Sequence, residues 1–146
     1  LLPHLEAQQA GRYESWQREP RGCLGLVLLL DQLPRNIYRN TPRAFAFDAQ
    51  ARTVTRHCLK MGFDQALEGA ERLFLYMPLE HSEDLKDQQD CLRLIAAIGD
   101  NQWRSYAERH LEVIQRFGRF PHRNAILGRE STEEERAFLK EPNSSF

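Results

Sequence analysis

Trp103, Tyr106, Ala107, His110, Leu111, Ile114 and Phe117 recur at intervals of three and four, the spacing that gathers residues onto one face of a helix. A strand would scatter the same residues over both sides of a sheet. Ala44, Phe47, Asp48, Ala51, Val54, Thr55 and Cys58 form a second such stripe, and Leu85, Gln88, Leu92, Ile95 and Ala96 a third. Leu24 to Leu30 is apolar all round, which suits a central helix buried on every side. Leu73 to Leu79 likewise leaves no polar face.

The punctuation between these stretches suits helices. Thr41-Pro42 offers an N-cap followed by proline at the first helical position. Ser82 precedes Glu83 and Asp84, a cap with acids where the helix dipole favours them. Ser131 and Glu134 have the spacing of a capping box, and Gly62, Gly99 and Gly118 stand where helices should stop. No run alternates as a strand would. The expected fold is therefore all-α, a single domain over residues 1–146, with about six or seven helices joined by short connections into antiparallel hairpins.

Composition narrows the function classes. Lys and Arg number 20 against 21 Asp and Glu, a formal charge of −1, whereas nucleic-acid binding needs a basic footprint. The longest apolar run, Cys23 to Leu30, falls well short of the roughly 20 residues that span a bilayer. A polar segment carrying Trp and Arg precedes it, unlike a signal peptide. Cys23, Cys58 and Cys91 form no CxxC pair, so free thiols in a reducing, cytoplasmic setting are expected. They lie 35 and 33 residues apart, near the roughly 34-residue helical hairpin repeat, but stand at different phases of their helices. Leu1-Leu2-Pro3-His4-Leu5, with no initiator Met, reads as the interior of a longer chain, so a preceding segment is expected.

Three polar motifs carry whatever chemistry the chain has. Asp31-Gln32-Leu33-Pro34-Arg35-Asn36 follows the most apolar helix, and Pro34 should force a turn that presents Arg35 and Asn36. Arg35 could project a planar fork toward a carboxylate or phosphate, or satisfy the carbonyls of the helix end. Glu80-His81-Ser82-Glu83-Asp84, with Asp87 one turn on, could serve as general acid and base or could simply cap a helix. It lacks the His pair of a helix-borne zinc site.

The third motif is Arg116-Phe117-Gly118-Arg119-Phe120-Pro121-His122-Arg123-Asn124. Its phenylalanines should anchor a stiff loop that presents Arg119, His122, Arg123 and Asn124. These groups make either an anion pocket or a salt-bridge network with Glu83, Asp84 or Asp48. Asp48 sits in an apolar stripe and needs a cation, for which Arg35 and Arg123 are the candidates. Trp16, Trp103 and Tyr106 are expected to be core residues.

Asp31 to Tyr38, Leu79 to Asp84 and Arg116 to Gly128, in that order, resemble the bacterial family known as domain of unknown function 924. The similarity runs over nearly the whole chain, through Phe138-Leu139 to Ser145-Phe146. The resemblance implies a tetratricopeptide-like right-handed array of helical hairpins and brings no activity with it. It also implies an aromatic-bearing N-terminal segment ahead of Leu1.

No GxSxG elbow, Walker loop or GxGxxG run is present. Cys58 follows His57 directly, so on a helix the two point about 100° apart and do not pair. Two functions remain. One is a binding module that takes a peptide or small anionic ligand on a polar face. The other is an enzyme acting on a small anion, with Arg35, Arg119 and Arg123 holding it and His81 or His122 moving a proton, oriented by Glu83 or Asp84. The candidate ligand-binding residues are Arg35, Asn36, His81, Glu83, Asp84, Arg119, His122, Arg123 and Asn124. No cofactor, metal, membrane or nucleic-acid partner is implied.

Overall fold

The computed structural model describes residues 2–9 and 11–146, and among them every regular element is helical. Helix α1 spans Leu2–Gln9; the reading of Leu1 lies outside the described residues. A 3-10 turn, Glu14–Arg18, leads into α2, Pro20–Val27. Helix α2 continues through a π-helical turn, Leu28–Gln32, into α3, Leu33–Ile37.

The turn expected at Pro34 does not form. The π segment has already shifted the bonding pattern, with the Leu33 amide donating to the Leu28 carbonyl five residues back. Arg35 then donates from its side chain to the Asp31 carbonyl, and the helix passes Pro34 without ending.

Thr41-Pro42 opens a separate 3-10 turn, Pro42–Phe45, ahead of α4, Asp48–Lys60. After a further 3-10 turn, Phe63–Ala66, come α5, Gly69–Glu80, and α6, Leu85–Ala96. The cap of α6 is Asp84, whose side chain accepts the Asp87 amide at 3.0 Å; Ser82 instead accepts from the Asp84 amide. Helix α7, Asn101–Phe117, ends at Gly118, whose φ of +71° turns the chain left-handed. The 3-10 turn Pro121–Arg123, α8, Asn124–Leu127, and α9, Glu133–Leu139, complete the chain. The capping box of α9 is Thr132 with Glu135, one residue beyond the expected pair.

Helices α4, α5 and α6 each pack on their successor, and α2 lies against α4 and α5. Leu26, Val27, Leu30, Leu75, Tyr76 and Leu79 fill the main core, each such side chain contributing about 1.5–3 kcal/mol of burial. Every member of the second stripe, from Ala44 to Cys58, is buried. A smaller cluster of Val113, Ile114 and Phe120, lined by Phe117 and Phe138, seats the loop after α7.

Three expectations of burial need correction. Leu28, the first residue of the π turn, is 36% exposed. Trp16 and Tyr106 are 39% and 48% exposed, Trp16 stacking on Tyr13 at 4.3 Å. No described helix is long and apolar enough to cross a membrane.

Candidate functional site

Asp31, at the π turn, is wholly buried. His81, the residue that closes α5, donates from Nδ1 to Asp31 Oδ1 at 2.7 Å. Gln32 Nε2 donates to the other oxygen at 2.8 Å, and Arg35 Nη1 to Oδ1 at 3.1 Å. Burial by itself would raise the Asp31 pKa, but His81 and Arg35 outweigh it and hold the carboxyl below its usual value. The partner that His81 finds is thus Asp31, not Glu83 or Asp84. A signal was available in the sequence, since Asp31 is the one acid inside an otherwise apolar helix.

Arg35 completes a second pairing. Its Nη1 and Nη2 donate to both oxygens of Asp48 at 2.7 and 3.0 Å, as the buried position of Asp48 requires. Arg35 therefore does not offer an empty fork. Asn36 is exposed on the same helix and donates to the Gln32 carbonyl at 3.0 Å.

Three residues of the candidate set make hydrogen bonds and ion pairs within the fold. Arg119 donates from Nε and Nη2 to the two oxygens of Glu135 at 2.9 and 2.7 Å, and that contact holds the Glu135 carboxyl down to about 2. Asn124 is 1% exposed and bonds Ser131, Glu135 and Arg129. Glu83 accepts from both outer nitrogens of Arg129, at 2.8 and 3.1 Å, and from the Phe120 amide at 2.6 Å. Burial would raise Glu83, and these donors reverse it to below the ordinary carboxylate value. Arg129, absent from the candidate set, thereby locks the loop to the start of α6. Asp84 is spent as the α6 cap.

Arg123 stands apart. It is 7% exposed, and its guanidinium lies over the rings of Phe45 and Phe120, 4.6 and 4.7 Å from their centroids. Nη2 donates to the His81 carbonyl at 2.8 Å, whereas Nε has no partner. Among the described residues no carboxylate forms an ion pair with it, whereas Arg35, Arg119 and Arg129 each hold one. Burial and the nearby Arg35 charge lower its pKa to about 10, so it remains a cation at neutral pH.

Arg123 and His81 face a cleft of about 490 Å³, lined also by Arg35, Arg39, His110 and His122, with Phe45, Phe120 and Phe146 as apolar walls. Among the described residues no Asp or Glu lines it. Burial lowers His110 and His122 to about 4, the Arg123 charge adding to the shift of His122, so both rings are neutral at pH 7. His110 donates from Nδ1 to the Tyr106 carbonyl at 2.7 Å, while His122 Nδ1 has no partner. On the other side of Phe45, His81 and Arg123 lies a more open hollow lined by Asp48, Glu83, Asp84 and Asp87. Among the described residues no three His, Cys, Asp or Glu side chains are grouped so as to hold a metal ion.

Residues 1–143 match the sequence profile of a family described as bacterial protein of unknown function, DUF924. A solved structure of a protein of unknown function from Agrobacterium tumefaciens superposes with a TM-score of 0.90 at 38% sequence identity, over 94% of this chain and 78% of that one. No curated protein matches the chain.

Proposed function

The chain belongs to the DUF924 family, and from that premise we propose that it binds a small anionic molecule, bearing a carboxylate or phosphate, in the cleft beneath Arg123. Family membership brings no activity, so the reading rests on the site. The observation that carries it is a buried arginine with no carboxylate, in a cleft that no acid lines. Asp48 and Glu83 act on Arg123 only at longer range, and a buried cation without a direct partner is unfavourable, so an arriving anion supplies that partner. The two phenylalanine rings pack against the guanidinium, and its free edge can make in-plane hydrogen bonds to a carboxylate or phosphate. A cleft of about 490 Å³ is the size of a small-molecule site, which favours a metabolite over a peptide laid along a groove. Three buried free thiols suit a reducing compartment, and we place the protein in the cytoplasm.

Inorganic phosphate, followed by thermal melting and calorimetry, tests the reading. The parent protein should gain melting temperature with added phosphate, as any ligand of the native state produces. Arg123→Met should melt at the parent temperature or above it and show no phosphate response. Arg119→Ala should melt lower, because Glu135 loses its partner, yet still respond. A clear loss of stability in Arg123→Met, with no phosphate effect on the parent, would make Arg123 a scaffold residue and end the proposal.

A further inference from the structure

We infer that His81 is a general base that takes a proton from a carbon acid held in the cleft, an inference that rests on the anion-binding reading above. Among the described residues His81 is the one histidine hydrogen-bonded to a carboxylate, at 2.7 Å from a wholly buried Asp31. His57 and His110 bond backbone carbonyls, and His4 meets a tyrosine hydroxyl. With Nδ1 occupied by Asp31, the tautomer leaves Nε2 as the acceptor. Nε2 makes no hydrogen bond and is not sealed from solvent, and the ring borders the acid-free cleft.

The anion-holding group and the base are joined directly, since Arg123 Nη2 donates to the His81 carbonyl at 2.8 Å. Arg123 and His81 line the same cleft, so an anion held by Arg123 shares that cleft with the imidazole. Asp31 is itself held by Arg35 and Gln32, so the ring has a fixed backing. This is the arrangement of base and orienting carboxylate that proton transfer needs.

The lining narrows the reaction. It holds no cysteine and no carboxylate, so neither a thiolate nor an acidic nucleophile is at hand. What a base and a cation accomplish without any co-reactant is to move a proton. The fitting substrate is a small carboxylate with an acidic C–H beside a carbonyl, such as a 2-oxo acid. The C–H bond breaks, its electron pair passes into an enolate, and the proton goes to Nε2. Asp31 stabilises the imidazolium formed, and Arg123 faces the added negative charge. Return of a proton from the imidazolium to the enolate regenerates both the base and the carbonyl compound.

Deuterium exchange makes the step visible. Pyruvate and 2-oxobutyrate are incubated with the protein in heavy water, and loss of the C–H signal is followed by proton NMR. The parent should exchange them faster than buffer alone. His81→Gly should lose this excess by about 100-fold or more, and added imidazole should restore part of it, which a merely structural histidine would not allow. Asp31→Asn should shift the pH profile of exchange, and His81→Gly should still bind phosphate. If phosphate binds and neither acid exchanges above buffer, the base assignment fails while the anion cleft stands. If phosphate does not bind, the cleft reading itself falls.

Discussion

Arg119 and Arg123 stand four residues apart in one loop and end in opposite surroundings. Arg119 meets the buried Glu135 with both prongs, while Arg123 lies against two phenylalanine rings and, among the described residues, forms no ion pair. Nothing in their local sequence separates them, because the difference lies in which distant residues each one meets. The histidines show the same dependence on surroundings and yield a pH prediction. His110 has a folded pKa of about 4 against roughly 6.5 unfolded, so the folded state disfavours its charged form. Between those values the unfolded chain binds more protons than the native one. Stability is therefore complete above about 6.5 and falls as pH drops toward about 4, by about 3 kcal/mol for this residue. His122 acts in the same direction. Glu80, 3.9 Å from His110, works oppositely over its own range, because burial holds its carboxyl above the usual value. Melting curves from pH 7 to pH 4 should thus fall less steeply for His110→Gln than for the parent.

At the scale of elements, local preference and tertiary contact can pull apart. Gly22 lies within α2, where helix propensity would favour alanine by about 1 kcal/mol. A Cβ there would sit 2.0 Å from the Trp16 carbonyl oxygen, which belongs to the backbone of the preceding 3-10 turn. Gly22→Ala should therefore destabilise by about 1–3 kcal/mol or more, measured by urea unfolding. Asp84→Ala should cost about 1 kcal/mol through the lost α6 cap, with the phosphate response retained. The helical stripes were legible because a period of 3.6 survives any tertiary arrangement. The caps were legible only to within a residue or two, since Ser, Thr and Asp neighbours compete for the same amides and packing selects among them. The π turn left no local mark beyond Pro34 itself, so a helix that continues past proline could not be read from the chain.

For the molecule as a whole, three thiols report on cooperativity. Cys23, Cys58 and Cys91 lie on α2, α4 and α6, all free and none more than 1% exposed. Burial raises the pKa of each, which further suppresses thiolate reactivity. An aromatic disulfide reagent should find no fast-reacting thiol in the native protein, and all three should react together at the urea midpoint. Stepwise release would show that the helices unfold as separate units.

The sequence by itself determined the helical class, the main core faces, the free thiols and the need of Asp48 for a cation. Each follows from periodicity, from residue chemistry or from the cost of burying a charge, and none needs a partner's address. Only the tertiary structure decided which arginine lacks a counter-ion and which acid backs His81. Asp31 and His81 are 50 residues apart, and Arg123 reaches the His81 carbonyl across 42. Pairings at such separations depend on how the helices pack, because an ion pair of a few ångströms is set by geometry that no local pattern records.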